Sequence, residues 1–217
     1  MIKLMNVDCM EFMATLPDKA FDLAIVDPPF GLGDKLTTGG TWAAKYKTGD
    51  ADWDKAPGED YFKELFRVSG NQIIWGGNYF NLPPSRCYLI WDKVAHMETM
   101  ADCEQAWASF DKNAKIFKHV RNTSETRIHM CQKPVKLYEW LLTNYAKTGD
   151  KILDTHGGSM SIAIGCHNLG YDLTLCELDE DYYKAGVARF EQHTAQARMF
   201  AEPTEQAEFK QQSIIAG

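Results

Sequence analysis

The stretch that most constrains this chain is FDLAIV, residues 21–26, closed by Asp27-Pro28-Pro29-Phe30. Only Asp22 interrupts the apolar residues. A strand here is therefore covered on both faces, as in a parallel sheet flanked by helices. Each proline lacks an amide hydrogen and fixes its own φ, so the strand stops there. The proline pair can be read as a stiff turn. It can also be read as a loop whose carbonyls and aromatic ring are held for a ligand.

The rest of the chain alternates in the same way. Ile2 to Val7 reads as a short strand, and Met10, Met13 and Leu16 give the segment from Cys9 a helical spacing. Residues 31–58 are rich in Gly, Thr, Asp and Lys without a period, and read as a long loop of the kind that is often functional. Residues 59–68 read as a helix with Tyr61, Phe62, Leu65 and Phe66 on one side. NQIIWGG (71–77) and CYLIW (87–91) read as buried strands joined by turn material. EQAWASF and KIFKHV read as strands among irregular loops. Pro134 suits the first turn of a helix, and Leu137, Leu141 and Leu142 give that helix an apolar face up to Gly149. KILD (151–154) is a strand, followed by a glycine turn and a helix through about Leu169. DLTLCE (172–177) is another strand, and Asp179 can cap the helix that carries Tyr182, Tyr183, Val187 and Phe190. This alternation predicts an α/β fold, doubly wound, with a mostly parallel sheet. A single domain over residues 1–193 accounts for the pattern, and 194–217 form a polar tail.

Composition narrows the class. With 217 residues, 45% hydrophobic and 24% charged, the chain suits one globular domain with a sizeable core. No apolar run approaches the roughly 20 residues of a membrane span. The start, MIKLMNVDCM, lacks the pattern of a signal peptide. Cys9, Cys87, Cys103, Cys131, Cys166 and Cys176 contain no CxxC pair, which suggests neither a metal site nor a disulfide framework. They read as reduced thiols in a cytoplasmic protein. The net charge of -7 argues against indiscriminate binding to polyanions. Yet Lys112, Lys115, Lys118, Arg121, Arg127, Lys133 and Lys136 stand against Glu125 alone. Such a run is either a solvated face or a local phosphate contact.

Two constellations carry chemistry. In the first, a strand ends in Asp154, the turn Gly157-Gly158 follows, a helix begins, and the next strand ends in Glu177. In doubly wound sheets a glycine turn lets a ligand approach the backbone, and an acid ending the next strand accepts ribose hydroxyls. GxGxxG and the P-loop Gly-Lys-Ser/Thr are absent, so a nucleoside without a pyrophosphate fits best. The plainer reading is a helix cap and an ordinary strand-end acid. The second constellation is the proline motif. An exocyclic amine such as adenine N6 is a poor nucleophile, because its lone pair is delocalised into the ring. The Asp27 carboxylate and the Pro28 carbonyl can accept its two N–H bonds, which favours pyramidal nitrogen and frees the lone pair. The prolines hold the carbonyl in advance, and Phe30 can stack on the base. A base inside a duplex is out of reach, so it must be flipped out.

DPPF (27–30), QKP (132–134) heading a helix, DTHGGSMS (154–161) and LCELDEDYY (175–183), in that order, resemble the DNA N6-adenine/N4-cytosine methyltransferases that use S-adenosylmethionine. The resemblance is to the permuted group in which DPPY/F precedes the cofactor motif, and it covers roughly residues 1–33 and 70–193. It implies a Rossmann-like methyltransferase fold, S-adenosylmethionine as cofactor and double-stranded DNA as substrate. Asp27, Pro28, Pro29 and Phe30 would form the catalytic motif, with Asp27 also beside the cofactor. Asp8 would face the cofactor's adenine amino group, Asp154, Gly158 and Ser159 would line its methionine portion, Glu177 its ribose, and Lys133 its carboxylate. Cys9, His156, Gly157 and Leu178 complete the cofactor set. Asp rather than Ser at the head of the motif resembles the adenine group. The expectation is thus a site-specific adenine-N6 methyltransferase, with a cytosine-N4 or RNA methyltransferase, or a catalytically silent DNA-binding relative, as the alternatives.

The sequence departs from the family at two points. The family's Phe is His156, read here as a packing or capping residue. Its second glycine is Met160, whose side chain either crowds the cofactor or lies in the core. Target recognition is expected from the loops 31–58 and 92–131, through Lys35, Lys45, Lys47, Lys112, Lys115, Lys118, Arg121 and Arg127. Trp42 and Trp53 read either as base wedges or as core, and Trp107 as core. For surfaces that must read DNA both segments are short, which fits a brief recognition site or help from a second subunit, as in a homodimer. No nuclease motif and no restriction partner are evident in this chain.

Overall fold

Asp8 shows how the sequence sets its own boundaries. Its Oδ1 accepts from the Met10 and Glu11 amides at 2.7 and 3.1 Å, so the first helix begins directly after the first strand. The computed structural model describes residues 1–32, 55–94, 101–120, 127–129 and 131–201. Its elements in chain order are β1 (Ile2–Asn6), α1 (Cys9–Ala14), β2 (Phe21–Val26), α2 (Glu59–Val68), β3 (Ser69–Trp75), β4 (Cys87–Asp92), β5 (Cys103–Ala108), β6 (Lys115–Lys118), α3 (Val135–Tyr145), β7 (Lys151–Asp154), α4 (Ser161–Leu169), β8 (Asp172–Glu177) and α5 (Glu180–Ala201).

The strands form one sheet in the order β1-β8-β7-β2-β3-β5-β4-β6. Every neighbouring pair is parallel except those made by β5, which runs against both β3 and β4. The α/β, doubly wound reading therefore holds. On one face, Met13 of α1 and Tyr61, Phe62 and Leu65 of α2 pack on Ala24, Val26 and Ile74. On the other, Leu137 and Leu141 of α3 and Ile162 and Ala163 of α4 pack on Leu23, Ile25, Ile73 and Ile152. The central strands are covered on both sides, as their near-continuous apolar runs require.

Details differ from the sequence reading for physical reasons. Pro134 takes the N-cap position of α3 with extended backbone (φ -69, ψ 146), one place before the first turn. Asp179 does cap α5, its Oδ1 accepting from the Tyr182 amide at 2.8 Å. That helix runs on to Ala201, past the expected start of the tail at 194. Lys35, Lys45, Lys47, Trp42, Trp53 and Arg121 lie outside the described residues. No helix among the described residues is long and apolar enough to cross a membrane.

Candidate active site

The topology fixes where a ligand belongs. From β7 the chain crosses through α4 to β8 on one side, and from β2 it crosses through α2 to β3 on the other. Neighbouring strands β2 and β7 thus lead away in opposite directions. The crevice beyond their carboxyl ends is the switch point at which open α/β sheets bind ligands. Asp27 follows β2 and Asp154 ends β7, so two acids face this crevice.

On the β2 side, Asp27 belongs to a row of charges, of which Lys93 and Lys133 are buried and Asp27 and Glu104 half-buried. Its Oδ2 accepts from Lys133 Nζ. Lys133 Nζ also lies 3.0 Å from Glu104 Oε2, and Glu104 Oε1 lies 2.9 Å from Lys93 Nζ. The Lys133 side chain is 2% exposed, its ammonium 5.1 Å from the centre of the Trp75 ring. Burial would raise the Glu104 carboxyl, but Lys133 and Lys93 outweigh it and lower it to about 2. Burial raises the Asp27 carboxyl above the usual carboxylate range; Lys133 opposes that rise and Glu104 adds to it. Asp27 Oδ1 is shut off from solvent and finds no partner among the described residues.

The loop after Asp27 is held by packing. Phe30 stacks on Tyr79 with ring centres 5.0 Å apart and planes 18° apart, and meets Phe80 edge-on at 6.2 Å. Gly76 has φ 68, and a Cβ there would stand 2.2 Å from the Phe30 ring. Only glycine lets β3 end so close to the aromatic ring.

On the β7 side, the turn is tied from several elements. Tyr61 of α2 reaches Thr155 Oγ1 with its hydroxyl at 2.6 Å, and Thr155 meets His156 Nδ1 at 2.9 Å. Arg189 of α5 donates to the Ser159 carbonyl at 2.6 Å and to Ser161 Oγ at 3.0 Å. Glu177 is engaged on both oxygens: Oε2 accepts from the Gly158 amide at 2.6 Å and Oε1 from the Asp179 amide at 2.9 Å. Asp154 accepts from the His156 amide at 3.0 Å, and burial raises its carboxyl to about 8. Burial lowers His156 and His129 to about 4 each and raises the Cys9 thiol to about 12. Asn6 holds the end of β8 through the Glu177 and Leu178 carbonyls, at 2.8 and 3.1 Å, and Leu178 is left exposed.

Met160 is resolved by this geometry. It adopts the left-handed conformation (φ 55) and is fully buried. A Cβ on Gly186 of α5 would lie 2.8 Å from Met160 Cγ, so the side chain runs under α5 into the core. The two glycines before it differ in purpose. A Cβ on Gly157 would strike Leu175 at 2.2 Å, whereas one on Gly158 would meet only the His129 ring, at 3.9 Å. Gly157 serves packing, and Gly158 leaves open space at the turn.

The structure thus brings Asp8, Cys9, Asp27, Phe30, Lys133, Asp154, His156, Gly158 and Glu177 to the carboxyl end of the sheet. It places Lys133 against two acids of its own chain. Lys112 lies away from this group. Because β5 runs antiparallel, it carries the chain to the opposite end of the strands, where Lys112 Nζ donates to the Asn144 carbonyl at 3.1 Å and sits over the Tyr145 ring. Lys112 there lines a cavity of about 500 Å³ with Lys19, Asp22 and Asp150. That cavity is remote from the switch point, and its charged groups are bonded to backbone. Lys115 opens β6 on the way back, and Lys118 reaches the site end beside Asp92, at 3.8 Å. Arg127 is half-buried. Glu104, Lys93, Tyr79 and Arg189 are functional candidates that the sequence reading missed. The available signal was the lone acid Glu104 in an otherwise uncharged strand. Among the described residues no group of three or more His, Cys, Asp or Glu could hold a metal ion.

The profile of a DNA methylase family, the N6/N4 methyltransferases, matches residues 74–188. No curated protein matches the sequence significantly. Among solved structures, M1.HpyAVI in complex with SAM is 18% identical with a TM-score of 0.54, covering 87% of this chain and 98% of its own. TTHA0409 of Thermus thermophilus, complexed with S-adenosyl-L-methionine, is 16% identical with a TM-score of 0.54, covering 89% and 94%. The PvuII DNA methyltransferase, which is cytosine-N4-specific, is 13% identical with a TM-score of 0.60, covering 89% and 90%. These likenesses agree on the fold.

Proposed function

The chain belongs to the N6-adenine/N4-cytosine DNA methylase family, and on that premise we propose that it is a site-specific DNA adenine-N6 methyltransferase using S-adenosylmethionine. The observation that carries the reading is Asp27 Oδ1, a buried carboxylate oxygen without a partner among the described residues. Leaving such an acceptor unpaired costs about 1–3 kcal/mol. An amine N–H entering the crevice removes that cost. The neighbouring Pro28 carbonyl takes the second N–H, and the nitrogen is drawn toward a pyramidal shape with its lone pair free. On gaining the methyl group the nitrogen would pass one proton to Asp27 Oδ1 along the hydrogen bond already formed, and from there to solvent. Asp rather than Ser at the head of the motif supports adenine as the base.

The residues at the β7 side suit the cofactor. Asp8, Asp154 and Glu177 set three acids around a turn with open space at Gly158, apt for a cationic nucleoside with ribose hydroxyls. Bound there, S-adenosylmethionine supplies a methyl group activated on a sulfonium sulfur. Glu177 would hold the ribose, Asp154 would face the methionine portion, and Leu178 would offer an apolar surface beside them. Met160, withdrawn into the core, leaves this space clear, which counts against a catalytically silent relative.

DNA is the partner, and the base must leave the helix to reach Asp27. Lys118, at the site end of the edge strand β6, is exposed and is the residue of the basic run that we assign to phosphate contact. The test is methylation-aware sequencing of DNA from cells expressing the protein. Modified adenine at one recurring short sequence is expected. Unmodified DNA, with folded protein that binds S-adenosylmethionine in a parallel titration, would sink the reading.

A further inference from the structure

We propose that Glu104 and Lys93 are positioning residues for the reaction: through Lys133 they hold Asp27 by Oδ2 and leave Oδ1 to accept the target amine. The inference rests on the reading above, in which Asp27 receives that amine.

The strand order brings these groups together. Asp27 and Lys133 are adjacent to the catalytic crevice, whereas Glu104 and Lys93 come from the hairpin partners β5 and β4. The antiparallel register sets Glu104 opposite Trp91, at the same end of the sheet as Asp27. The four groups alternate in sign, Lys93, Glu104, Lys133, Asp27, and the row is neutral as a whole. Alternation is what permits burial, since an unpaired charge here would be strongly disfavoured.

An ammonium on a flexible stem has three donors and no preferred plane. With Glu104 at 3.0 Å and the Trp75 ring at 5.1 Å, Lys133 has one direction left for Asp27, and it meets Oδ2 alone. Remove Glu104 as a partner, and the donors of Lys133 turn to Asp27, including the oxygen the amine needs. Lys93 keeps Glu104 in place by engaging its other oxygen at 2.9 Å. Lys93 in turn lies over the Trp91 ring, 5.5 Å from its centre.

A neutral isostere separates this role from simple support. In Glu104→Gln one carbonyl oxygen serves two competing ammonium groups. In the double variant Glu104→Gln with Lys93→Met, that oxygen returns to Lys133. Asp27 is also faced by Asp154 from β7 and Tyr138 from α3, and neither changes in these variants.

The experiment has two arms. In the first, the Asp27 side-chain carboxyl carbon is followed by NMR against pH in the free protein. The negative charge of Glu104 raises the Asp27 carboxyl, so Glu104→Gln should move its titration to lower pH. An unmoved titration overturns the proposal, and this arm needs no activity. In the second arm, single-turnover methyl transfer is measured with S-adenosylmethionine bound. Glu104→Gln should slow it about 10- to 100-fold with cofactor affinity unchanged, as expected for a misplaced catalytic group. The acid limb of the rate should move to lower pH with the carboxyl, and the double variant should recover most of the rate. A Glu104→Gln rate equal to wild type, or a double variant no faster than the single one, overturns the proposal. Wild-type protein that binds the cofactor and transfers nothing would instead sink the methyltransferase reading, leaving the NMR arm to judge the linkage.

Discussion

Asp27 and Glu177 are both strand-end acids at the same rim of the sheet, and they are held in opposite ways. Glu177 spends both oxygens on backbone amides of its own turn, Gly158 at 2.6 Å and Asp179 at 2.9 Å. Asp27 spends one oxygen on Lys133 and keeps the other buried and unpartnered among the described residues. The β7 side is a closed set of bonds, which a cofactor must exchange on entry. The β2 side carries the cost of an open acceptor in advance. The first arrangement suits reversible binding of a ligand that comes and goes. The second suits stabilisation of a short-lived geometry at one nitrogen, which is where preorganisation acts on rate.

The largest effect expected from breaking this contrast is at Asp27. Asp27→Asn keeps the shape and removes the charged acceptor. Methyl transfer should fall about a hundredfold to a thousandfold, as when one preorganised partner of a reacting group is lost, with cofactor affinity unchanged by calorimetry. An equal loss of cofactor binding would mean that the two sides are not distinct. Glu177→Ala should do the reverse. Loss of a charged acceptor costs about 1.5–3 kcal/mol, so cofactor affinity should fall about 10- to 100-fold while the rate at saturation stays near wild type.

A smaller effect is expected at Met160. Met160→Gly relieves a left-handed residue, worth about 1–2 kcal/mol, and empties space under α5, worth about 2–5 kcal/mol. Denaturant unfolding should show a net loss on the order of 1–3 kcal/mol, with cofactor affinity unchanged. Tighter cofactor binding would show that the methionine does crowd the turn.

The smallest expected effect is in pH. His156 and His129 are held neutral by burial, each lowered from 6.5 to about 4. A base with a depressed folded pKa contributes stability that is complete above about 6.5 and lost as pH falls through about 4. The melting temperature should therefore drop across that window. His156→Phe should flatten part of the drop, giving up only the bond to Thr155, which keeps Tyr61 as a partner. An identical pH profile in the variant would contradict the assignment.

Much of the frame was legible in the sequence, because the central strands announce themselves. FDLAIV, KILD and DLTLCE have apolar runs that only a covered strand explains, and their observed bounds match. The strand-end acids followed from those bounds. What stayed hidden depends on strand direction and remote contact. The basic run from Lys112 is continuous in sequence, but antiparallel β5 sends its first lysine to the far end of the strands. Lys93 and Glu104 are ordinary charges until the register lays β4 against β5 beside Lys133. Phe30 was legible as an aromatic at the motif, though not its stack on Tyr79. No spacing along the chain encodes such pairs.

The most direct test of the central claim is the identity of the methylated nucleoside. Purified protein is incubated with labelled S-adenosylmethionine and duplex DNA of varied sequence, and the DNA is digested to nucleosides and separated by mass. Label is expected in N6-methyladenine, at a rate lowered about a hundredfold to a thousandfold in Asp27→Asn. Label in N4-methylcytosine, or undiminished label in Asp27→Asn, would contradict the claim.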